Sequence, residues 1–147
     1  MARTLYMQEL ESVRKNLIQM GETTTELLTE AIRAISVGDS ASAERACELE
    51  AKTDHQLRMI RDRCLSLITL QAPVARDARL ITGILDAIVD LELIGGYACE
   101  IVTISGAMDH RPPHPIMAQI SEIGSRTREI LSMAEQAAGA APMRNSQ

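Results

Sequence analysis

The chain has 147 residues, a formal net charge of −5 and a pI near 5.2. At about 150 residues per domain this length favours one domain, and the acidic balance argues against nucleic acid as the main ligand. Aromatic residues are nearly absent, with two Tyr and no Phe or Trp. The core must therefore be built from Leu, Ile, Val, Ala and Met, which suits packed helices better than sheets.

Cysteine usage and the N-terminus bear on the cellular compartment. Cys47, Cys64 and Cys99 are odd in number, lie far apart and form no C-x-x-C motif. We therefore predict that they are small buried residues in a reducing compartment. The opening stretch MARTLYMQEL has no apolar h-region after its Arg, which argues against a secretory signal. Both observations predict a cytoplasmic protein.

The first half of the chain predicts two long helices. From residue 3 to residue 37, apolar or small residues recur at steps of three and four, which is typical of a helix with one buried seam. These residues are Leu10, Val13, Leu17, Met20, Thr24, Leu27, Ala31 and Ala34. Gly38 ends this helix, and the second is expected from residue 41 to residue 70. Its predicted inward residues are Ala46, Leu57, Ile60, Cys64, Leu67 and Ile68.

The stretch from Pro73 to Ser105 is apolar on almost every side. A helix of this kind is either buried among other helices or lies in a membrane. Its acidic residues interrupt every apolar run well short of the roughly 18 residues that a spanning helix needs. We therefore predict an all-α fold, an antiparallel up-down three-helix bundle over residues 1–108. The third helix is expected at its centre, with tight reversals at Gly38 and Pro73.

A proline-rich linker at residues 109–115 precedes a predicted fourth helix at 116–138 and a disordered tail at 139–147. The fourth helix is amphipathic, with a stripe of Ile116, Ile120, Ile123, Thr127, Ile130, Ala134 and Ala137. Burying four isoleucines is worth about 6–12 kcal/mol, so we expect the stripe to be covered. It could fold back on its own bundle or pair with a second copy. We favour the second copy, and hence a homodimer.

Acidic side chains near the predicted seams are the candidates for chemistry. Glu50 and Asp54 lie four residues apart and share a helix face, where like charges repel weakly. Two interpretations stay open: a solvated face, or a pair that awaits a cation. Glu92 falls on an apolar face of the third helix, and a buried unpaired carboxylate costs several kcal/mol unless it is protonated, paired or metal-bound. The same cost applies to Asp77, which also lies near apolar residues of the predicted third helix.

Asp90 belongs instead to a polar stripe, which we interpret as the solvent edge of the third helix. The stripe continues through Arg76, Arg79, Gly83 and Asp86. Glu92 lies about 200° round the helix from Asp90, at about 100° per residue. Gly95 and Gly96 each cost roughly 1 kcal/mol inside a helix relative to Ala. The two glycines therefore indicate that a neighbouring helix comes close.

Motifs of catalysis are missing from the sequence. It contains no G-x-S-x-G, no phosphate-cradling Gly loop and no Glu-x-x-His on a predicted helix. His110 and His114 lie in the proline-rich loop without Cys or carboxylate partners, so we interpret them as polar loop residues rather than metal ligands. The sequence therefore predicts a protein that is not an enzyme.

Three segments carry a family resemblance: LEAKTDHQL, CLSLITLQAPVARDARLITGIL and DLELIGGYACEIV. They resemble the PhoU family of phosphate-uptake regulators, whose members carry an acidic E/D-x-x-x-D motif, a PVA-x-D-L-R turn and a D-L-E-R-I-G-D segment. Glu50 and Asp54 match the first motif. The turn is matched by Pro73, Val74, Ala75, Asp77 and Arg79, and the last segment by Asp90, Leu91, Glu92, Ile94 and Gly95. The resemblance covers residues 5–106.

The resemblance implies a non-enzymatic regulatory adaptor. Such a protein damps phosphate uptake and the phosphate-starvation response by contacting the ATPase of the phosphate ABC transporter and a sensor histidine kinase. It also implies a divalent or iron-type metal ion as a candidate cofactor, with Glu50, Asp54, Asp90 and Glu92 as candidate ligands. Two departures bear on the metal, because Leu93 stands where the family has Arg and Gly96 where it has Asp.

Two other functions stay open. His55 lies between Lys52 and Arg58 on the second helix, and a phosphorylated His needs exposure and nearby cations, so a histidine phosphotransfer bundle is one alternative. The other is a purely structural helical protein. Phosphorylation of the wild type but not of His55→Ala would favour the first.

Overall fold

The computed structural model describes residues 2–140, which form four helices and no strand. These are α1 (Ala2–Val37), α2 (Ser40–Gln71), α3 (Ala75–Gly106) and α4 (His114–Ala140). The predicted all-α fold is confirmed. Residues 139 and 140, which were expected in a disordered tail, continue α4. The rest of that predicted tail, residues 141–147, lies outside the described residues.

The reversal between α1 and α2 is built by Gly38 and Asp39. Gly38 has φ +71°, a left-handed conformation that glycine adopts without steric cost, and its N–H donates to the Ala34 carbonyl at 2.9 Å. Asp39 caps α2 by accepting from the Ala41 N–H at 3.1 Å and from the Ser42 hydroxyl at 2.8 Å. The Ser42 hydrogen bond is the main reason why the pKa of Asp39 is lowered.

The reversal between α2 and α3 is equally short. Ala72 ends α2 in the left-handed region at φ 42° and ψ 67°, and Val74 has the extended backbone that precedes α3. Pro73 thus lies in the turn rather than in the first turn of α3, because Val74 at ψ 158° does not continue a helix. A reversal this short makes α2 and α3 antiparallel neighbours.

Helix α1, not α3, is the central helix. Within the described part of the chain it packs against α2, α3 and α4, whereas α3 packs against α1 and α2 only. The prediction that α3 is central was therefore wrong. Much of the apolar surface of α3 faces outward instead, with Val89, Leu93, Tyr97, Ile101 and Ile104 between 45% and 62% exposed.

The apolar core lies where α1, α2 and α3 meet. The predicted seam of α1 is confirmed, since all of its members are buried except Leu17, which is partly buried. The fully buried large side chains include Leu10, Met20, Leu27, Leu49, Ile60, Ile81, Ile84 and Ile88. In α2, Ile68 departs from the prediction, because it is 40% exposed near the end of the bundle.

Helix α4 folds back along α1 of the same chain. Most of the predicted stripe does not pack, since Ile116, Ile123 and Ile130 are 47%, 65% and 68% exposed. The packed face carries Leu131, which is 8% exposed, and the partly buried Met117 and Ile120, of which Ile120 belongs to the predicted stripe. Of the two predicted arrangements, the chain therefore adopts the one in which helix four folds back on its own bundle, and the homodimer stays a prediction. Within residues 2–140, no helix combines the length and the hydropathy needed to cross a lipid bilayer.

Candidate functional site

The acidic motif lies where α3 comes closest to its neighbours. A Cβ added to Gly95 would lie 3.3 Å from the Leu27 Cδ1 of α1 and 3.4 Å from the Thr53 Oγ1 of α2. Thr53 is fully buried and donates to the Glu50 carbonyl at 2.8 Å. The predicted close approach is thus confirmed at Gly95 and was wrong at Gly96, where an added Cβ would meet nothing within 4 Å. The approach at Gly95 places this turn of α3 beside the 50–54 turn of α2.

The two carboxylates of the α2 motif have different surroundings. Asp54 accepts an ion pair from Arg58, one turn further along α2, at 2.8 Å, and the two side chains are 45% and 55% exposed. A pair this exposed contributes little to stability, about 0–1 kcal/mol. Glu50 is partly buried, and its charge contributes to the raised pKa of Cys99 on α3. Asp54 therefore already has a cation, supplied by its own helix.

The two predicted ligands on α3 point in different directions. Asp90 is exposed, as are Arg76, Arg79, Gly83 and Asp86, so the predicted solvent edge is confirmed. Glu92 is only partly buried. Its apolar face is mixed, because Ile88 is buried whereas Val89 is 49% exposed. A carboxylate that reaches solvent needs neither a metal nor a counterion.

The four candidate ligands do not come together. Glu50 contributes to the raised pKa of Cys99, whereas Glu92 lies seven residues before Cys99 on α3, about 10 Å along the helix axis. Among the described residues, no three His, Cys, Asp or Glu side chains converge so that they could hold a metal ion. A Cβ at Gly96, where the family has Asp, would meet nothing within 4 Å. Metal binding at Glu50, Asp54, Asp90 and Glu92 therefore stays a prediction.

Asp77 faces the hydroxyl of Tyr6 on α1. Burial, and then the nearby Asp77 carboxylate, raise the pKa of Tyr6 from 10.0 to about 12. Tyr6 is 8% exposed, and Asp77 is partly buried. The buried Tyr6 hydroxyl has no hydrogen-bond partner among the described residues, so Asp77 is a charged neighbour of this neutral phenol and not its acceptor.

The three thiols differ in exposure, contrary to the prediction that all are buried. Cys64 is fully buried, Cys99 is partly buried and Cys47 is exposed. Burial raises the pKa of Cys64 to about 11. Burial, followed by the adjacent Cys47 thiol and Glu50, raises that of Cys99 to about 12. The sequence interval of about fifty residues gave no sign that Cys47 and Cys99 meet.

The sequence-based predictions also did not include the apolar stripe on the outward face of α3. Its members, Val89, Leu93, Tyr97, Ile101 and Ile104, are 49%, 45%, 62%, 47% and 56% exposed. Their spacing of four, four, four and three residues is itself a signal, since such residues line one helix face. We call these five residues the α3 stripe. Exposed apolar residues that follow one face mark a surface for another macromolecule.

The histidines are all exposed, at His55 on α2, His110 in the linker and His114 at the start of α4. Exposure of His55 meets the first requirement of a phosphotransfer residue. Arg58, one of the two cations near it, is engaged by Asp54 at 2.8 Å.

The chain is similar in sequence to a known protein family and to individual proteins of that family. The sequence profile of a family described as "PhoU domain" matches residues 17–105, which cover most of α1 and all of α2 and nearly all of α3. A relative from Synechocystis sp., named "Phosphate-specific transport system accessory protein PhoU homolog", is 33% identical over 88% of this chain and 58% of its own length. Relatives named "Phosphate-specific transport system accessory protein PhoU" are 30% identical in Serratia marcescens and 29% identical in Escherichia coli (strain K12).

The match covers only part of these relatives. Both enterobacterial proteins align over 84% of this chain but 51% of their own length, so the chain spans about half the length of the curated relatives it matches. No solved structure matches the chain significantly.

Proposed function

We propose that this chain, which belongs to the PhoU family, is a non-enzymatic accessory protein that acts in the cytoplasm on phosphate uptake. It lowers uptake and the phosphate-starvation response by contacting the ATPase of a phosphate ABC transporter and a sensor histidine kinase. The observation that carries the proposal is the family match over residues 17–105, because these residues build the three-helix core. The relatives' printed names make them accessory proteins of phosphate-specific transport.

The surface of the bundle supports a role in binding rather than in catalysis. The α3 stripe is an apolar face beside the acidic residues Asp86 and Asp90, which are exposed on the same helix. An apolar centre with charged residues at its edge is the usual composition of a protein interface. We therefore assign the contact with the transporter ATPase to the α3 stripe.

A capture experiment tests this assignment. The tagged wild-type chain should recover the transporter ATPase and the histidine kinase from phosphate-replete cells, and Leu93→Glu with Ile101→Glu should lose the ATPase. Thr82→Glu is the matched control, because Thr82 is exposed on the same helix outside the stripe. Phosphate uptake should rise in cells that carry the double variant and stay at the wild-type level with the control. Recovery of neither partner by the folded wild type would contradict the proposal.

We also propose a homodimer, formed through the outer face of α4. Ile116, Ile123, Ile130 and Met133 remain 47–69% exposed there although the opposite face of α4 packs on α1. Residues 116, 123 and 130 repeat every seven positions, the interval of a helix that pairs with another helix. Analytical ultracentrifugation should show a dimer for the wild type and a 16.1 kDa monomer for Ile123→Glu with Ile130→Glu. A monomeric wild type at micromolar concentration would contradict the dimer.

The exposure of His55 supports one alternative, a histidine phosphotransfer bundle. A kinase donor would then phosphorylate the wild type and not His55→Ala. We rank this function lower because the family match runs through all three helices of the core, whereas phosphotransfer rests on one exposed side chain.

A further inference from the structure

Two of the three cysteines meet across the α2–α3 interface. The Cys99 thiol of α3 donates to the carbonyl of Ala46 on α2 at 3.5 Å, and the next residue of α2 is Cys47. Cys47 is thus adjacent in sequence to the residue that the Cys99 thiol contacts, and it is near enough to Cys99 to contribute to the raised pKa of that thiol. Cys64 is fully buried further along α2. The structure therefore selects one pair out of the three that the sequence allows.

The backbones around this pair are held close together by small residues. Ala46 and Ala98, which precede the two cysteines, are 0% and 4% exposed. Gly95, one turn before Cys99, brings α3 to within contact of Thr53. A disulfide needs Cα atoms about 4.4–6.8 Å apart, a spacing that side chains larger than Ala between the helices would prevent.

Cys47 and Cys99 also differ in solvent exposure, and this difference determines which thiol is oxidised first. Cys47 is exposed, so an oxidant in solution reaches it first, whereas Cys99 is partly buried behind it. An accessible thiol with a second thiol next to it is the usual arrangement of a redox-sensing pair. In reducing compartments such disulfides are transient rather than structural.

We propose that Cys47 and Cys99 form a reversible disulfide between α2 and α3 when the protein meets a peroxide. The Cys47 thiolate attacks one peroxide oxygen, the O–O bond breaks, and the hydroxide that leaves takes up a proton to give water. The Cys99 sulfur then attacks the resulting sulfenic acid, the S–S bond forms, and the S–O bond breaks with release of a second water. The sulfurs lose two electrons, which reduce the peroxide, and a dithiol reverses the bond by exchange.

The disulfide joins α2 and α3 at the turn that carries Glu50. It closes a loop of about fifty residues that includes the α2–α3 reversal, so it restricts the unfolded chain and raises the melting temperature by roughly 5–15 °C. This inference does not depend on the proposed function in phosphate transport, because it rests on the two thiols alone.

Treatment of the reduced full-length protein with hydrogen peroxide tests the proposal. The mass should fall by about 2 Da, and the thiols that can be titrated after denaturation should fall from three to one. A linked peptide should join Cys47 to Cys99, the melting temperature should rise, and dithiothreitol should reverse every change. Cys64→Ala should behave like the wild type, whereas Cys47→Ser and Cys99→Ser should not form the bond.

Several outcomes would overturn the disulfide. These are three remaining thiols after treatment, a gain of about 32 Da from sulfinic acid at Cys47, a bridge to Cys64, or a covalent dimer in the wild type. Both Ser variants change an exposed or partly buried sulfur to oxygen, so circular dichroism should show that they keep the helical fold of the wild type. If either does not fold, the linked-peptide result on the wild type and on Cys64→Ala decides the question.

Discussion

The two sides of α1 are held by different forces. On the side of α2 and α3, Leu10, Met20 and Leu27 are 0% exposed and pack in an apolar core. On the side of α4, Leu131 is the one large side chain of α4 buried among the described residues, and hydrogen bonds add to it. These bonds are Thr25 to Glu135 at 2.8 Å, Ser36 to Ser121 at 3.0 Å, Arg128 to Thr29 at 3.2 Å, and Arg14 to the Gly139 carbonyl at 3.1 Å.

This difference separates a folding core from a docked helix. Burial of apolar surface is the dominant favourable term in folding, whereas each hydrogen bond adds only about 1 kcal/mol net because water offers the same partners. Helix α4 buries one large apolar side chain, that of Leu131, among its described residues. We therefore expect α4 to open locally while the bundle of α1, α2 and α3 stays folded.

The largest effect is expected from a charge placed in the core. Ile88 is 1% exposed on α3, so Ile88→Asp should lower the free energy of unfolding by several kcal/mol, because the carboxylate would be buried without a partner. Val89→Asp is the control, since the adjacent Val89 is 49% exposed. Urea unfolding followed by circular dichroism measures both. Equal midpoints for the two variants would mean that this face of α3 does not lie in the core.

A smaller effect is expected on the α4 side. Leu131→Ala should lower the stability of α4 by about 2–3 kcal/mol, near the low end for buried leucines, because polar contacts remain. Hydrogen exchange should show faster exchange in α4 and unchanged protection in α2 and α3. Ile130→Ala is the control, because Ile130 is 68% exposed. Faster exchange throughout the bundle would show that α4 belongs to one cooperative unit with the core.

A further prediction concerns metal binding near Glu92 and the Glu50–Asp54 motif. Gly96→Asp should raise affinity for Mn²⁺ at least about tenfold, or about 1.4 kcal/mol, because it adds an acidic group one turn from Glu92 in open space. Gly83→Asp is the matched control, since a Cβ at Gly83 also meets nothing within 4 Å and lies far from the α2 motif. Calorimetry that gives equal affinities for the wild type, Gly96→Asp and Glu50→Ala would rule the site out.

A pH dependence of stability is expected at Tyr6. Its pKa is raised from 10.0 to about 12, so the folded protein holds this proton more tightly than the unfolded chain does. The stabilisation is complete below pH 10 and is lost as the pH rises towards about 12. Urea unfolding across this range should show a steeper loss for the wild type than for Tyr6→Phe. Tyr97→Phe, at a 62% exposed position, should follow the wild type; identical profiles for all three would contradict the prediction.

The local structure could be read from the sequence, but the packing of its faces could not. Periodicity located the helices, and Gly38 and Pro73 located the reversals, because these are properties of neighbouring residues. Which apolar face is covered depends on a partner. In α4 the packed face uses Gly124, where a Cβ would come too close to the Ile32 side chain of α1. A contact between a glycine of one helix and an isoleucine of the neighbouring helix leaves no apolar stripe in the sequence, so periodicity does not predict it.

The same limit applied to the candidate site. Spacing correctly placed Glu50 and Asp54 on one turn of α2, and Gly95 at a close approach. It could not show that Arg58 pairs with Asp54, or that Glu92 reaches solvent. Both depend on side-chain geometry, and the meeting of Cys47 with Cys99 depends on the register between two helices.

Helix α1 packs against both α3 and α4, so it connects the α3 stripe to the outer face of α4. Within residues 2–140, α4 packs against α1 alone, so its outer face and the α3 stripe have no helix other than α1 in common. Any free energy that couples a partner on one face to a partner on the other is transmitted through α1. Such coupling is reciprocal, so a second copy bound at α4, as proposed, would change affinity at α3 by the same factor as the proposed α3 partner would change dimerisation. If α1 keeps the same conformation with and without these partners, binding at the α3 stripe and dimerisation through α4 are independent.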